Sequence, residues 1–306
     1  MRSKELKNPL FSILIANYNN GGYLQEAIDS VLAQTYGNWE VILVDDKSTD
    51  DSPAIYGKYA ADSRFKIYYN EVNRGCGYTK RRCAELATGE ICGFLDPDDA
   101  LLPEALETMV KAHAEHPECS LIYSTCYRYS GDRTAEMPVW DFIGPIPEDS
   151  DFLIYRKKLV SHIVSFKRAC YLKSVGIDPT LQAAVDRDLY YNLEEQGSLL
   201  HIPVPLYLYR TNNAASISIG SKKTEKKAHL NCVKSELNAI CRRIGTDLYK
   251  KNADDYKSYM RKILREYYGS PVFDRKDFCR FAFHYLKAWH FSPYAFSHLY
   301  KITKGR

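Results

Sequence analysis

Three carboxylates fall within four residues at the end of an apolar run, in the stretch Phe94–Asp99, which reads Phe-Leu-Asp-Pro-Asp-Asp. A buried strand that ends in such stacked negative charge needs compensation, because like charges this close repel one another. Mg²⁺ and Mn²⁺ prefer oxygen ligands, and Mg²⁺ typically takes one or two carboxylates together with substrate phosphates. The stretch therefore predicts a seat for a metal ion and a diphosphate. The alternative is a helix N-cap by Asp98 or Asp99 before Pro103, although a cap needs only one carboxylate.

The acidic stretch follows one strand of a predicted, mainly parallel sheet. Strand and helix patterns alternate up to about residue 130, which predicts βαβ units. The predicted strands are 11–15, 41–44, 65–69, 91–95 and 121–123, and the clearest helices are 79–87 and 103–114. In such sheets ligands bind beyond the carboxyl ends of the strands. Three strands end in polar or acidic residues at that edge, namely Asn17–Asn19, Asp45–Asp46 and Asp96–Asp99.

The second half of the chain is less regular. Residues 128–151 and 211–220 are predicted loops, the second of them mobile. Between them, Val185–Glu195 has a helical pattern, and Leu199–Tyr209 alternates and carries two prolines, which predicts an edge strand. We divide the chain into residues 1–220 and a basic, aromatic-rich helical region, residues 221–306.

Composition is that of a soluble globular protein of 306 residues. The nine cysteines form no Cys-x-x-Cys pair, which indicates reduced thiols in a cytosol. We expect neither a signal peptide nor a spanning helix. The net charge of +4 hides an asymmetry: residues 221–306 contain 20 Lys/Arg and 8 Asp/Glu, whereas residues 1–220 contain 22 and 30. Two parts with different partners are indicated.

Several motifs in order resemble the family 2 glycosyltransferases, over about Pro9 to Ser218. The first strand and Tyr18-Asn19, the run Val44-Asp45-Asp46-Lys47-Ser48-Thr49-Asp50, and Ala87-Thr88-Gly89-Glu90 before the acidic stretch each look like a family motif. The resemblance implies a GT-A fold, which is an α/β nucleotide-diphospho-sugar transferase fold with a Rossmann-like sheet. It also implies inversion at the anomeric carbon.

The resemblance implies donor-binding roles for residues at the strand ends. Tyr18 and Asp46 would contact a nucleotide base, with Ala16 and Asp45 in the same site. A carboxylate accepts the ring N–H of uracil and has no such donor in cytosine, which favours a UDP-sugar. Asp96 would face the ribose or the sugar. Asp98 would hold Mn²⁺ or Mg²⁺, with Asp99 second, and the metal would stabilise the leaving diphosphate.

The resemblance also implies a general base at the start of a helix. The family commonly has a Glu-Asp pair there, which stands as Val185-Asp186 in this chain. Asp186 is our choice, because a base on the face opposite the leaving group gives in-line displacement with inversion. Asp188 is the competitor, and an N-cap role is the alternative for Asp186. His162, beside a predicted strand, is not assigned a catalytic role.

Three features depart from the family pattern: the residue at position 80, the residue at position 212 and a missing motif. Lys80 stands where an Arg is usual and would face a phosphate or ribose as a point charge. Arg210 would clamp the diphosphate, whereas Asn212 replaces a His that could have ligated the metal. The Gln-x-x-Arg-Trp run of processive synthases is absent, so a single addition is expected.

One face of a C-terminal helix is aromatic, with Phe278, Phe281, Tyr285 and Trp289 among its residues. The helix could lie in a membrane interface, or the face could pack against the protein, and the pattern favours neither. The positive charge of the region tips our prediction towards the membrane.

We therefore predict a metal-dependent, inverting hexosyl- or N-acetylhexosaminyltransferase of polysaccharide assembly. It would use a UDP-sugar and a glycan acceptor that is lipid-linked, since many relatives act on such acceptors. It would be cytoplasmic, with peripheral contact to the inner membrane face as an option and no nucleic-acid partner. A nucleotidyltransferase is one rival, but residues 17–22 lack its basic Gly-rich loop. A nucleotide-sugar-binding scaffold without transfer activity is the other.

Overall fold

The computed structural model describes residues 8–131, 136–155, 157–212, 222–270 and 273–304. One eight-stranded sheet forms the centre. Its strands are β1 (Phe11–Asn17), β2 (Trp39–Asp45), β3 (Phe65–Tyr69), β4 (Ile91–Phe94), β5 (Ala100–Leu101), β6 (Cys119–Tyr129), β7 (Val164–Lys167) and β8 (Ser198–Arg210). The strand order is β3-β2-β1-β4-β7-β6-β8-β5. The pairs among β3, β2, β1 and β4 are parallel, as is β6 with β8, whereas β7 and β5 run antiparallel to their neighbours.

Helices cover the sheet and continue beyond it. They are α1 (Gly21–Leu32), α2 (Ser52–Gly57), α3 (Cys76–Leu86), α4 (Ala105–Glu115), α5 (Arg168–Lys173), α6 (Val185–Glu194), α7 (Lys222–Arg243), α8 (Asp247–Lys251), α9 (Ala253–Tyr268), α10 (Arg275–Ala288) and α11 (Pro293–Lys304). The predicted α/β GT-A architecture with a helical C-terminal extension is confirmed. The predicted mobile loop 211–220 lies outside the described residues from 213 onward, as does the predicted boundary at 220.

Strand β2 shows why the apolar runs become central strands. Every residue of Trp39–Asp45 is buried, because β2 lies between β1 and β3 and packs against α3. Gly89 lies three residues after the end of α3 and beside β1. A Cβ there would stand 2.4 Å from the Leu10 carbonyl oxygen, so this approach of two backbones requires glycine.

The prolines of β8 lie where the strand has one described neighbour. Pro205 pairs with Thr125 of β6, whereas β5 pairs with β8 only at Tyr207 and Leu208. The prolines therefore occupy an edge segment, where a missing N–H costs no ladder hydrogen bond.

The C-terminal helices share a core with the sheet region, and a buried ionic network joins them to α6. Arg243 of α7 is fully buried and pairs with Glu194 and Glu195 at the end of α6 and with Asp151. Its guanidinium also donates to the Tyr256 hydroxyl of α9 at 2.9 Å. We call these five residues the Arg243 network.

The aromatic face of α10 packs inside the protein. Phe278 and Phe281 contact the rings of Tyr268 and Tyr267 on α9, at centroid distances of 4.9 and 5.2 Å, and Tyr285 is fully buried. Placing this face in a membrane interface was therefore wrong, and the packing alternative describes it. No helix in the described part of the chain is long and apolar enough to cross a membrane.

Candidate active site

A cavity of about 530 Å³ opens at the carboxyl ends of β1 and β4, between the first turns of α3 and α6. Eight of the ten predicted site residues line it: Ala16, Tyr18, Asp46, Lys80, Asp96, Asp98, Asp99 and Asp186. Asp45 and Arg210 do not. The parallel strands bring these residues together because their carboxyl ends meet at one edge of the sheet.

Asp46 and Tyr18 lie at the β1–β2 end of the cavity. The buried Asp46 carboxylate accepts hydrogen bonds from the Arg74 and Gly75 backbone N–H groups, at 2.8 and 2.7 Å, and from the Asn70 amide at 2.7 Å. Two carboxylate oxygens have about four acceptor sites, so these three bonds leave capacity for a ligand donor. Tyr18 is half exposed and lines the cavity.

Asp45 forms hydrogen bonds within the loop that follows β2 and does not line the cavity. Its carboxylate accepts from the Asn17 amide at 2.9 Å and from the Ser48 N–H and hydroxyl at 2.9 and 2.6 Å. Our assignment of Asp45 to the donor site is therefore corrected: it fixes the turn that presents Asp46. Adjacent side chains of a strand point to opposite faces, but the sequence does not show which face carries the cavity. The pattern therefore could not tell which of the two adjacent aspartates lies in the site.

The acidic stretch places Asp99 innermost. Its buried carboxylate accepts from the Tyr207 hydroxyl at 2.9 Å and from the Arg210 N–H at 2.7 Å. Burial, and next the charges of Asp98 and Asp96, raise the pKa of Asp99 well above its usual range. A divalent cation would relieve this repulsion, so the stretch fits a metal ion. Asp98 is more accessible than Asp99, and neither acts as the helix cap, because α4 begins at Ala105 after Glu104.

Arg210 points away from the cavity. Its guanidinium donates to the Asp98 carbonyl oxygen at 2.7 Å, pairs with Glu26, and lies 4.8 Å from the centroids of the Tyr23 and Tyr129 rings. The prediction that Arg210 clamps a diphosphate is therefore not what the structure shows. Arg210 supports the acidic stretch through the Asp98 carbonyl oxygen and the Asp99 carboxylate, and Glu26, 184 residues away in the chain, pairs with its guanidinium.

Lys80 joins the acidic stretch to the predicted base. Its ammonium lies 2.7 Å from Asp186 Oδ1 and 2.9 Å from Asp96 Oδ1. Burial by itself disfavours the charged ammonium, but Asp186 and Asp96 hold the pKa of Lys80 well above its usual value. Against the opposing effect of burial, Lys80 and then His162 lower the pKa of Asp96. Lys80, Asp96 and Asp186 are called the Lys80 triad below.

Asp186 is the accessible acid of the first turn of α6. Its side chain is 39% exposed and lines the cavity. The N-cap position belongs to Ala184, so the cap alternative for Asp186 was wrong. The competitor Asp188 is buried outside the cavity, where it accepts from the Asp178 N–H at 2.7 Å and the Ser235 hydroxyl at 3.2 Å. Burial raises the pKa of Asp188 to about 6.

An aromatic wall closes the side of the cavity near β8. The rings of Trp140 and Tyr209 lie 5.1 Å apart, and that of His162 lies 5.6 Å from Tyr209. His162 Nε2 lies 3.9 Å from Asp96 Oδ2, and burial lowers the pKa of His162 in spite of that neighbour. None of these three residues is among the predicted site residues. Trp140 belongs to a predicted loop, and only its aromatic character in a polar segment could have drawn attention.

A cavity at a switch in sheet direction, lined by a carboxylate cluster and by an accessible acid on the first turn of a helix, is typical of the active site of an α/β enzyme. The family model described as "Glycosyl transferase family 2" matches residues 12–175, more than half of the chain. The chain belongs to this family and is a glycosyltransferase. That membership does not favour either the nucleotidyltransferase or the scaffold alternative.

Individual known proteins agree with this assignment. The chondroitin synthase of Pasteurella multocida (strain Pm70) is 28% identical over 262 residues, which are 85% of this chain and 26% of that protein. This chain thus spans only about a quarter to a third of the length of the first curated relatives. The crystal structure of S. aureus TarS 1-349 in complex with UDP-GlcNAc is 17% identical, with a TM-score of 0.65 over 91% of this chain and 81% of that one. The mannosyltransferase PcManGT from Pyrobaculum calidifontis, in complex with GDP-Man and Mn2+, is 14% identical, with a TM-score of 0.56 over 99% and 89%.

Proposed function

We propose that this glycosyltransferase moves a hexosyl or N-acetylhexosaminyl group from a UDP-sugar to a saccharide acceptor, with inversion, in polysaccharide assembly. The observation that carries the proposal is the single cavity that joins Tyr18 and Asp46, the acidic stretch and Asp186. These are the three parts that transfer needs: a nucleotide site, a diphosphate site and a base.

Asp46 supports a uracil-containing donor. Its carboxylate has acceptor capacity left after three protein bonds, and uracil offers a ring N–H where cytosine has none. The TarS complex with UDP-GlcNAc gives this choice a precedent in the fold. The mannosyltransferase complex with GDP-Man is the competing precedent, since guanine also has a ring N–H.

Asp98 and Asp99 would hold Mn²⁺ or Mg²⁺, with Asp98 as the main ligand. Within the described residues, no three His, Cys, Asp or Glu side chains are arranged to bind a metal by themselves. This agrees with a Mg²⁺-type site, which completes its shell with substrate phosphates and water. When bound, the metal would supply charge neutralisation for the departing diphosphate.

Asp186 would act as the general base. Its carboxylate takes the proton of the acceptor hydroxyl while that oxygen bonds to the anomeric carbon. The bond from this carbon to the phosphate oxygen breaks on the opposite face, and its electron pair leaves with UDP. Lys80 holds the Asp186 carboxylate in place through its 2.7 Å ion pair, which pre-organises the base.

The aromatic wall would receive the acceptor. Trp140 and Tyr209 offer ring faces against which the apolar face of a pyranose can pack, next to His162 and the Lys80 triad. We propose a lipid-linked saccharide as the acceptor and the cytoplasm as the compartment. The compartment is supported by the nine cysteines, which form no Cys-x-x-Cys pair.

Calorimetric titration of UDP, GDP, CDP and ADP, each with and without Mn²⁺, tests the donor and metal assignments. We expect Mn²⁺-dependent UDP binding that Asp98→Asn weakens by at least about tenfold, since a charge-assisted metal contact is lost. Glu104→Gln, a nearby exposed acid on the way to α4, is the matched control and should bind UDP normally. Preferred GDP binding would overturn the uracil argument, and binding that ignores Mn²⁺ would overturn the metal site.

A further inference from the structure

Exposed aromatic side chains concentrate on the last two described helices and on the segment that connects them. Phe283, Phe291, Tyr294, Phe296 and Tyr300 each expose 49–62% of their surface. We call these five residues the C-terminal patch. The patch spans 18 positions, whereas four aromatic side chains are at least 36% exposed in all the other described parts of the chain. Such clustering on a surface indicates an interaction site.

Phe283 and Tyr300 lie on the faces of α10 and α11 that turn away from the core, Tyr294 and Phe296 flank the buried face of α11, and Phe291 lies in the connection between the two helices. Helix α10 buries Phe278, Phe281 and Tyr285, and Phe283 projects from the opposite side. Helix α11 buries Ala295 and Ile302, which leaves Tyr300 on its outer side. The patch is thus a second apolar surface in addition to the packed one.

Positive charge surrounds these rings. From residue 278 to residue 304 the chain has four Lys/Arg and no Asp or Glu. Lys287, Lys301 and Lys304 are exposed on α10 and α11, and the Lys304 ammonium lies 5.6 Å from the Tyr300 ring centroid. Amphipathic side chains of this kind place an apolar stem beside the rings and a charge at the water boundary.

A basic cavity adjoins the patch. About 760 Å³ in volume, it lies between α9 and α11 and is lined by Arg261, Lys262, Arg265 and His298. Arg261 donates a hydrogen bond to the hydroxyl of the patch residue Tyr294. The two carboxylates that also line this basic cavity are Asp255 and Glu266, and Glu266 is paired with His229. Positive charge is therefore in excess. Burial, and next Arg261, Arg265 and Lys301, lower the pKa of His298, as expected where cations crowd together.

We infer that the C-terminal patch and the basic cavity form a surface that docks on an anionic lipid membrane. Aromatic side chains are enriched at the headgroup level of bilayers, and lysine and arginine near an anionic surface each add to binding. The rings would enter the interface while Lys301, Lys304 and the cavity cations contact headgroup phosphates. A second copy fits this surface less well, because it would bring like charges together. The inference goes beyond the proposed transfer and does not depend on it.

Flotation of the full chain with lipid vesicles tests this inference. One vesicle contains phosphatidylcholine alone, and the other contains equal parts of phosphatidylcholine and phosphatidylglycerol. We expect binding to the second that high salt weakens, and little binding to the first. Phe296→Ser with Tyr300→Ser should weaken binding by at least roughly tenfold. Lys301→Ala with Lys304→Ala should weaken it by roughly 30-fold, from the contribution of each cation near an anionic surface.

Matched controls lie on the sheet region. Leu172→Ser on α5 removes an apolar side chain that is 56% exposed, and Lys111→Ala on α4 removes an exposed cation. Both should bind vesicles within about twofold of the unaltered protein, as surface changes elsewhere do. Mn²⁺-dependent nucleotide binding should be unchanged in the patch variants, and Asp98→Asn should still float with anionic vesicles. Failure of docking and failure of the proposed function are thereby separated.

Three results would overturn the inference. The first is absence of vesicle binding, whether or not the protein binds a soluble polyanion such as dextran sulfate. The second is equal binding to neutral and anionic vesicles, or equal loss in the Leu172→Ser control. The third is a dimer in sedimentation equilibrium that Phe296→Ser with Tyr300→Ser dissociates, since a second copy would then cover the patch.

Discussion

Helix α6 carries an ionic cluster at each end, and the two clusters differ in how they meet water. At its first turn, Asp186 and Asp96 of the Lys80 triad are 39% and 28% exposed and face the active-site cavity. At its last turn, Glu194 and Glu195 belong to the Arg243 network, where the guanidinium is 0% exposed. The open cluster leaves Asp186, the base that we propose, within reach of a substrate. The closed cluster can only hold elements together, so we expect similar ion pairs to serve chemistry at one end of the helix and stability at the other.

The largest expected effect comes from breaking the open cluster. Asp186→Asn removes the base but keeps its shape, so the transfer rate should fall by about 10²–10⁴-fold. UDP binding and thermal stability should stay near those of the unaltered protein, because the side chain is partly exposed. Asp188→Asn, two residues further along α6 and outside the cavity, is the control and should keep most of its transfer rate. Equal loss in both variants would mean that Asp186 acts through the helix and not on the acceptor.

Breaking the closed cluster should affect stability and spare nucleotide binding. Arg243→Met leaves the carboxylates of Asp151 and Glu194 without their cation, which should lower the free energy of unfolding by about 3–5 kcal/mol. Denaturant titration measures this change. Arg242→Met is the matched control: its guanidinium pairs with Glu195 near the surface, so a loss below about 1 kcal/mol is expected. If the two variants prove equally stable, the Arg243 network does not hold the C-terminal helices to α6.

A smaller effect is expected in the pH dependence of the free energy of unfolding, through the Arg243 network. Three carboxylates face one guanidinium in the Arg243 network, and burial raises the pKa of Glu194 from 4.5 to about 7, although Arg243 works in the opposite direction. The folded protein therefore binds this proton more tightly than the unfolded chain. The contribution of Glu194 to stability is full below the unfolded pKa and declines as pH rises from about 4.5 to 7.

Glu194→Gln should remove this decline. We expect stability to change by about 1–2 kcal/mol less between pH 5 and pH 7 than in the unaltered protein. Chemical denaturation at several pH values measures the difference. A variant with the same pH profile as the unaltered protein would show that Glu194 stays ionised beside Arg243.

Local sequence predicted the parts of the site that depend on strand ends. The apolar runs of β1, β2 and β4 each stop where a polar group begins, so the pattern of residues was enough to place Tyr18, Asp46 and Asp96 at one edge of the sheet. The start of α6 at Val185 was predicted for a similar reason, because its apolar spacing begins there.

Pairings between distant residues could not be predicted in this way. Lys80 and Asp186 are 106 residues apart, and Arg210 and Glu26 are 184 apart. Nothing in the local pattern selects one partner for a charge over another, so Lys80 was assigned to a phosphate and Arg210 to a clamp. The prediction for the aromatic face of α10 was wrong for the same reason. A periodic stripe of apolar residues shows that a helix face is apolar, but it does not show what covers that face.

The Arg243 network also bears on the order of events during synthesis. Asp151, Glu194 and Glu195 leave the ribosome well before Arg243 of α7 and Tyr256 of α9. Until those two residues have been translated, the carboxylates at the end of α6 lack the Arg243 guanidinium. They must then remain hydrated, so this end of the helix cannot be buried. Nascent chains normally fold from the N-terminus onward. We therefore expect helix α6, which carries the proposed base Asp186, to reach its final packing only after Arg243 and Tyr256 have been translated.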